Sequence, residues 1–545
     1  MWPIKLKIYY LLILVILSTY IAGMFVPIME VDAAQYASIS DQILHSNSIL
    51  QIKHRDFEYL DKPPLLFWFS AVSMKLFGVS SFAYKIPSVL GLLLGVFSTF
   101  KFCNLYYKKE TSLVAATILA SCQAFFSMAN DCRTDNLLIG FACFSIWKIS
   151  SYITGRKSVD LFLGFAGIGV AMLAKGPLGL VFPAFTIGSM LITNKNYKAI
   201  NWKWLLAIPI ISLLLLPMCI GLYQQHGKEG LEFYFWTQSF GRITGQSEWK
   251  NNTDPLFFVH SFLWCFLPFT IIFLAAIYSS IKDLFRNKSQ NKSIEYGSIG
   301  GFILTMVALS FSRYKLPHYI FIVCPLAAAI CSGYLVEKSK TLNIRVLHLI
   351  QIIFLLILLI LSMVLIYFFN QSYPIYFFIA FVAVIYISWL FWKHFDMRKS
   401  IVLISVLIFT FVNLEFNTLF YPELLKYQSS SEAAFYIRDK QLNPNKVVGY
   451  NAYGHALSFY LDTIVPFYWD FGDVKKLEPG TIVYTNNDGL LEFGKNDMNI
   501  QVIKTFDEFD VTLLKFQFLN PDTREEAITK RHLVMLDPPI DNDRK

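Results

Sequence analysis

The sequence is poor in charge: only 16% of its 545 residues are Asp, Glu, Lys or Arg, whereas soluble proteins carry about a quarter. This shortage argues against an ordinary soluble fold, and it accompanies a hydrophobic content of 55%. The eight cysteines lie in or beside apolar stretches and form no Cys-x-x-Cys pair, which predicts neither a zinc knuckle nor a disulfide framework. The sequence also shows no internal repeat and no low-complexity tract.

Long apolar runs are what the sequence has instead. Runs of about twenty residues suit the roughly 30 Å hydrocarbon core of a bilayer, so we expect a mainly α-helical, polytopic membrane protein. The first run follows only Lys5 and Lys7 and lacks a small-residue cleavage site, which predicts a retained helix. The stretch 63–77 is shorter and predicts a helix at the interface, with a full span as the alternative. The thirteen predicted membrane helices lie near residues 8–27, 84–106, 113–130, 135–154, 159–174, 177–193, 203–223, 256–281, 296–312, 318–336, 344–369, 374–392 and 400–421.

The distribution of basic residues predicts the orientation of these helices. The formal net charge is +9, and much of the excess lies in short connections such as Lys108–Lys109, Arg156–Lys157 and Lys393 to Lys399. This pattern is typical of cytoplasmic loops, and it does not predict a nucleic-acid surface. The opposite, outer side then receives the segments 28–83, 131–135, 224–255, 312–317 and 422–545.

The composition changes after Pro422. Segments such as KVVGYNAYG, GTIVYTNN and NIQVIKTF alternate polar and apolar residues between Asn, Asp and Gly turns, which predicts short strands. We therefore expect two domains: a transmembrane domain over 1–421, whose 28–83 loop carries interfacial helices, and a small soluble α/β domain over 422–545.

The 28–83 loop carries an unusual density of ionisable side chains. Asp32 and Tyr36 are four residues apart, so a helix that begins near Val31 places both on one face. Asp32 could cap this helix, or it could act as a general base on an acceptor hydroxyl. Further along, the prolines of LDKPPL restrict the backbone and fix the direction of Asp61 and Lys62.

Three further turns add charge to the same outer side. Asp131, Arg133 and Asp135 share one turn between membrane helices, where charged groups indicate function by default. A single cation at a helix end is explained by snorkelling. Here several basic side chains lie at helix ends on the same side, namely Lys175 and the cluster of Arg313, Lys315 and His318. Together they predict a site for a phosphate or pyrophosphate that leaves during a reaction. The aromatic and basic loop 224–255 could cover a lipid headgroup or a sugar, or form an interfacial belt.

These segments together resemble the GT-C type of glycosyltransferases that use lipid-linked sugars, closest to the aminoarabinose transferases and protein O-mannosyltransferase-like enzymes. The resemblance implies the GT-C fold, with about thirteen membrane helices and further helices lying on the periplasmic face. It also implies transfer of a sugar from a polyprenyl phosphate, with inversion, at the periplasmic side of a bacterial inner membrane. The motifs that carry it are EVDAAQYA, YLDKPPLLFW, RTDNLL, LAKGPLG and SRYKLPHYIFIVCPLAA.

The resemblance implies roles for individual residues. Asp32 and Asp61 are the expected catalytic carboxylates. The sequence departs from the family's pattern in two places: Gln35 replaces an arginine, and Gln238 and Ser239 stand where the family carries Glu-His. The missing histidine leaves a bound divalent metal without support, and we expect no cofactor to be required. The expected donor-phosphate ligands are Lys62, Lys175, Arg242, Arg313 and Lys315. The expected cavity-lining residues are Glu30, Tyr36, Tyr59, Asp131, Arg133, Asp135, His318 and Tyr319.

The expected partners are a polyprenyl-phosphate-linked sugar and an envelope acceptor. The acceptor could be lipid A or another glycolipid, a protein or a polysaccharide, and the sequence does not distinguish them. The alternative function is a transporter or flippase of a lipid-linked substrate, for which broken helices and mid-membrane charges in related halves are typical. A sensor would need a signalling domain on the cytoplasmic side, and no cytoplasmic loop is long enough.

Overall fold

A computed structural model describes residues 4–46, 48–55, 57–155, 157–238, 241, 251, 253–286, 295–338 and 342–537. Within these ranges, nine helices are long and apolar enough to cross a membrane, and two bent helix pairs bring the number to eleven. Shorter apolar helices at Leu178–Thr193 and Gly297–Ser310 coincide with the other two predicted spans. Each predicted membrane helix therefore coincides with a helix or a bent helix pair, of which up to eleven in the described ranges are long and apolar enough to span. The chain is a multi-pass membrane protein.

The bundle helices follow one another closely along the chain. The short helix α6 continues α5 after a bend of 49°, and α11 and α12 form a second pair bent by 119°. Segments of 3₁₀ or π helix extend α10 (Ala207–Glu232), α14 (Cys324–Gly333) and α17 (Met397–Glu415). The bundle consists of α1 (Ile4–Phe25), α4 (Ser81–Cys103), α5 (Lys109–Ser121), α6 (Gln123–Asn130), α7 (Thr134–Gly155), α8 (Ser158–Lys175), α9 (Leu178–Thr193), α10 (Ala207–Glu232), α11 (Phe257–Cys265), α12 (Thr270–Arg286), α13 (Gly297–Ser310), α14 (Cys324–Gly333), α15 (Leu342–Asn370), α16 (Ile375–His394) and α17 (Met397–Glu415).

The segment between α1 and α4 forms its own layer against the bundle. It contains α2 (Asp32–His45), a two-stranded hairpin of β1 (Lys53–His54) and β2 (Phe57–Glu58), and α3 (Leu65–Phe77). At 13 residues, α3 is shorter than the roughly 20 residues that a straight span requires, as are α9 and α13, so its place at the interface stays a prediction. The observed start of α2 agrees with the helix predicted to begin near Val31.

Glycines allow α4 and α7 to approach closely. A Cβ atom at Gly140 would lie only 2.3 Å from the carbonyl oxygen of Gly91, so neither a methyl group nor a larger side chain fits there. Small residues permit such backbone contact between membrane helices. This contact fixes the beginning of α7, where Asp135 lies.

The C-terminal unit is the small α/β arrangement that the alternating pattern predicts. Its five-stranded sheet has the order β4-β3-β5-β7-β6; β3 is parallel to β4 and β5, whereas β7 is antiparallel to β5 and β6. The boundary between two domains near residue 421 stays a prediction. The unit's elements are α18 (Tyr421–Leu424), α19 (Ser429–Asp439), β3 (Val447–Tyr450), α20 (His455–Leu461), β4 (Phe467–Tyr468), α21 (Phe471–Val474), β5 (Ile482–Asn486), α22 (Asn487–Lys495), β6 (Ile500–Glu508), α23 (Phe516–Leu519), α24 (Arg524–Ala527) and β7 (Thr529–Leu536).

The C-terminal unit packs on the 28–83 segment through α2 and α20. The Glu30 carboxylate accepts hydrogen bonds from the Ala456 N–H at 2.7 Å and the Ser430 hydroxyl at 3.1 Å. The Arg55 guanidinium donates to the Gly454 carbonyl at 3.1 Å. Helix α2 therefore lies between the bundle and the C-terminal unit. One end of the bundle carries the 28–83 segment and the C-terminal unit. We call this end the loop face.

Candidate active site

A polar cavity of about 500 Å³, part of it open to solvent, lies at the loop face where four segments of the chain meet. The segments are the start of α2, the LDKPPL turn, the turn before α7 and the turn before α14, with Lys175 added from the end of α8. The sequence therefore predicted correctly that these separated motifs share one side. The predicted residues that line the cavity are Asp32, Tyr36, Asp61, Lys62, Arg133, Asp135, Lys175, His318 and Tyr319.

Arg133 joins α2 to the turn before α7. Its guanidinium forms ion pairs with Asp32 and, at 2.6 Å, with Asp131. Burial alone would lower the pKa of Arg133, but the two carboxylates raise it above its ordinary value, so the side chain stays cationic. Asp32 lies in the first turn of α2, yet no side-chain cap hydrogen bond is formed there. Its carboxylate faces the cavity and stays 38% exposed.

Lys175 and Asp135 form a second, more enclosed pair. The Lys175 Nζ atom lies 2.5 and 2.6 Å from the two Asp135 oxygens, and the Asp135 side chain is only 5% exposed. The His318 Nε2 atom lies 3.9 Å from the same carboxylate. Lys175 also lies 4.2 Å above the Tyr319 ring, a cation–π distance. The pair fixes the ammonium group at the cavity wall, where α8 ends.

The LDKPPL turn supplies the opposite wall. Lys62 forms an ion pair with the neighbouring Asp61, and the Gln238 amide donates to Asp61 Oδ1 at 2.6 Å and to the Asp61 carbonyl at 3.0 Å. Pro63 and Pro64 follow immediately and restrict the backbone. Gln238 therefore holds the Asp61 carboxylate from the far end of the π turn that continues α10.

An apolar groove of about 1400 Å³, part of it open to solvent, adjoins the polar cavity. Its walls come from α9, α10, α13 and the Leu50–Pro64 stretch, and include Leu178, Val181, Phe185, Met218 and Leu222. The two spaces share four residues at their boundary. These are Asp61, Lys62, Lys175 and Tyr319.

Two tyrosines line the route between these spaces. Tyr36 and Tyr59 both pack against Phe67, with ring centroids 5.7 and 5.9 Å from it. Burial raises the pKa of both hydroxyls well above the ordinary value, so both remain protonated. Within the described residues, the buried Tyr59 hydroxyl has no hydrogen-bond partner. It is therefore available to a ligand.

Several expected residues lie elsewhere. Glu30 precedes α2 and points to the C-terminal unit, so it does not line the cavity. The buried Lys315 ammonium donates to the Asp254 carbonyl at 3.3 Å, because its side chain turns toward the start of α11. Arg313 is exposed, and neither it nor Lys315 lines the cavity or the groove. Asp131 contributes through Arg133, and Arg242 lies outside the described residues.

Three cavity residues were not predicted from the sequence. Thr134, Tyr314 and Leu316 line the cavity beside predicted neighbours. Each lies within a motif that the sequence singled out, RTDNLL or SRYKLPHY, but it carries no charge. An uncharged side chain in a charged turn gives no signal that separates it from ordinary packing.

Part of the sequence is similar to known proteins. The family described as dolichyl-phosphate-mannose-protein mannosyltransferase matches residues 61–220. An undecaprenyl phosphate-alpha-4-amino-4-deoxy-L-arabinose arabinosyl transferase of Erwinia tasmaniensis is 23% identical over 53% of this chain and 52% of its own length. One of Yersinia pestis is 22% identical over 62% of this chain and 60% of its own. The chain thus aligns with little more than half the length of these relatives.

The fold comparison extends over nearly the whole chain. The crystal structure of ArnT from Cupriavidus metallidurans bound to undecaprenyl phosphate superimposes with a TM-score of 0.75 and 18% identity, over 97% of this chain and 99% of that one. Its apo structure gives a TM-score of 0.74. The predicted GT-C fold is confirmed, and these comparisons do not favour the transporter alternative. The chain is therefore similar in sequence to the aminoarabinose transferases and has their fold.

Proposed function

We propose that this protein is an integral membrane glycosyltransferase that moves a sugar from a polyprenyl phosphate to an acceptor at the loop face, with inversion. The observation that carries the proposal is the junction of a charged cavity with an apolar groove. A polyprenyl-phosphate sugar needs both environments within one molecule's length. The similarity to enzymes named for undecaprenyl-phosphate substrates supports the same donor class.

The boundary between the two spaces supports a position for the donor. The polyprenyl chain lies in the apolar groove, and its phosphate reaches Lys62 and Lys175, which line both spaces. Charge-assisted hydrogen bonds from these ammonium groups to phosphate oxygens are stronger than neutral ones. The protonated Tyr59 hydroxyl, which lines the groove, donates to the same headgroup.

The exposure of Asp32 supports a position for the acceptor. Asp32 and Asp135 both line the cavity. The Asp135 carboxylate is enclosed by Lys175, whereas the Asp32 carboxylate is the more exposed of the two. Asp32 orients an acceptor hydroxyl and takes its proton as general base. Arg133 holds the carboxylate in position and remains cationic.

The chemical step is a direct displacement at the anomeric carbon. The acceptor oxygen forms the new glycosidic bond while the bond from the anomeric carbon to the phosphate oxygen breaks. The bonding electrons leave with the polyprenyl phosphate, whose developing charge is countered by Lys62 and Lys175. The acceptor proton goes to Asp32, which completes the balance. This route uses only side chains of the chain, and the absence of a required cofactor stays a prediction.

The loop face is proposed to be periplasmic, in a bacterial inner membrane. The basic connections predict the opposite side as cytoplasmic, and among them Lys108 and Lys109 begin α5. The acceptor class is an envelope molecule that reaches the loop face, with glycolipids such as lipid A first, then proteins and polysaccharides.

Mass spectrometry of envelope glycolipids and glycoproteins tests this proposal. Cells without the gene should lose one product that carries an additional sugar residue. Expression of the wild-type protein should restore this product, whereas expression of the Asp32→Asn variant should not. The purified protein should also bind undecaprenyl phosphate. Identical glycan profiles with and without the gene, under conditions where the protein is present in the membrane, would contradict the proposed activity.

A further inference from the structure

A second cluster of polar side chains lies at the contact between α2 and the C-terminal unit, away from the active-site cavity. Asp41 and His45 are one turn apart on α2, so their side chains lie on the same face. Asp462 follows α20 in the left-handed conformation, with φ of 53°. The cluster therefore joins two parts of the fold that are more than 400 residues apart in sequence.

The three side chains are close enough to share one ion. The His45 Nε2 atom lies 3.5 Å from Asp462 Oδ1 and 3.9 Å from Asp41 Oδ1. One ligand atom from each residue lies within 4.8 Å of the other two. Two ligands about 2.1 Å from a tetrahedral zinc ion are roughly 3.4 Å apart, so small side-chain movements complete the geometry.

Asp41 brings a buried carboxylate into this cluster. Its side chain is only 9% exposed, and its Oδ1 atom, which faces His45, has no hydrogen-bond partner within the described residues. In that part of the chain, no Lys or Arg forms an ion pair with Asp41 or Asp462. A buried carboxylate oxygen without a donor is costly, and it faces a second carboxylate across the cluster.

We propose that Asp41, His45 and Asp462 bind a divalent transition-metal ion, for which Zn²⁺ has the best-matched chemistry. An imidazole nitrogen and two carboxylate oxygens suit zinc, with water as a fourth ligand. His45 and Asp462 are 65% and 55% exposed, so an ion reaches the site from solvent. Mg²⁺ and Ca²⁺ prefer complete oxygen coordination and fit this donor set less well.

The ion has a structural role, because it lies too far from Asp32 to take part in the transfer reaction. Nine residues separate Asp41 from Asp32, which places them roughly 14 Å apart along α2 at 1.5 Å per residue. Coordination ties the C-terminal end of α2 to the end of α20. The bound ion therefore fixes the C-terminal unit against the helix whose other end carries Asp32.

Zinc titration of the purified full-length protein tests this site. After removal of metal with a chelator, isothermal titration calorimetry with ZnCl₂ should show one ion per chain, and the midpoint of thermal unfolding should rise because the ligand binds only the folded state. The variants His45→Gln and Asp462→Asn should each weaken Zn²⁺ binding at least tenfold. MgCl₂ and CaCl₂ at the same concentrations should leave the midpoint unchanged.

A matched pair elsewhere provides the control. His260 and Asp254 are also exposed and lie 3.4 Å apart, but they have no third ligand in the described structure. The variant His260→Gln should bind Zn²⁺ as the wild type does. All variants should match the metal-free wild type in size-exclusion profile, which separates a lost ligand from a misfolded chain. Unchanged Zn²⁺ affinity in His45→Gln, or no one-to-one binding to the wild type, would overturn the proposal.

Discussion

Replacing Lys175 by methionine should reduce both stability and donor binding, and a second substitution should separate the two effects. In Lys175→Met, the 5%-exposed Asp135 carboxylate loses both of its short contacts to the ammonium group. Removing one partner of a buried ion pair typically costs about 3–5 kcal/mol. The additional change Asp135→Asn removes the stranded charge, so the double variant should recover most of this loss.

Donor binding should not recover with stability. If Lys175 contacts the donor phosphate, both Lys175→Met and the double variant should bind undecaprenyl phosphate at least about tenfold more weakly, which corresponds to about 1.4 kcal/mol. Thermal unfolding and native mass spectrometry with undecaprenyl phosphate measure the two quantities on the same samples. A double variant with wild-type affinity would refute the assignment of Lys175 to the phosphate.

The same two helices provide a control for this experiment. Lys148 of α7 and Asp160 of α8 form a pair at 2.9 Å whose carboxylate is 15% exposed, and neither lines the cavity or the groove. Lys148→Met, alone and with Asp160→Asn, should therefore change stability with undecaprenyl phosphate binding unaffected. A loss of binding in this pair would show that the assay reports general damage to the bundle.

Three further predictions concern the support of the site. Arg133→Lys should lower transfer in membranes by at least about tenfold, because one ammonium group cannot reproduce a guanidinium shared between two carboxylates; full activity would contradict this. Gly140→Ala should lower the unfolding midpoint, since its Cβ atom would lie 2.3 Å from the Gly91 carbonyl oxygen, whereas Gly95→Ala, whose nearest contact is 3.6 Å, should be tolerated; equal midpoints would argue against the close contact. Burial raises the pKa of Glu30 from 4.5 to about 7, so the folded state holds this proton more tightly than the unfolded state. Protonated Glu30 therefore stabilises the folded state by about 3 kcal/mol. This contribution is complete below pH 4.5 and is lost as the pH rises through 7. Glu30→Gln should remove this component from unfolding midpoints recorded between pH 4 and 8, and parallel profiles would contradict it.

The membrane helices could be predicted because their signal is local. Apolar runs predicted the positions of up to eleven helices that are long enough to span in the described residues, and of two shorter ones. The basic connections assigned the charged turns to one side. The start of α2 at Asp32 and the short α3 also followed from nearby residues. These features depend on composition and spacing within about twenty residues, which a single sequence displays directly.

Side-chain direction at the site could not be predicted in the same way. Glu30 lies only two residues before Asp32. However, α2 begins at Asp32, and the Glu30 side chain outside the helix points to the C-terminal unit. Lys315 lies between two residues that line the cavity, but its ammonium group binds the Asp254 carbonyl. Local spacing does not determine which way a side chain points in a turn.

Contacts between distant parts of the chain were also beyond the sequence. The ion pair between Asp32 and Arg133 joins residues 101 positions apart. The first loop has Gln35 where the resemblance implies an arginine, and Arg133 from another turn contributes a guanidinium at this helix. Only the packed fold shows that the two turns meet.

Transfer by the Asp32→Asn variant tests the central claim most directly. The variant keeps the size of the side chain and removes the carboxylate that accepts the acceptor's proton. We predict that it binds undecaprenyl phosphate as the wild type does, but that the sugar-bearing product falls by at least about a hundredfold in envelope mass spectrometry, the usual range for general-base catalysis. Full product formation by Asp32→Asn, at equal protein levels in the membrane, would contradict the proposed role of Asp32.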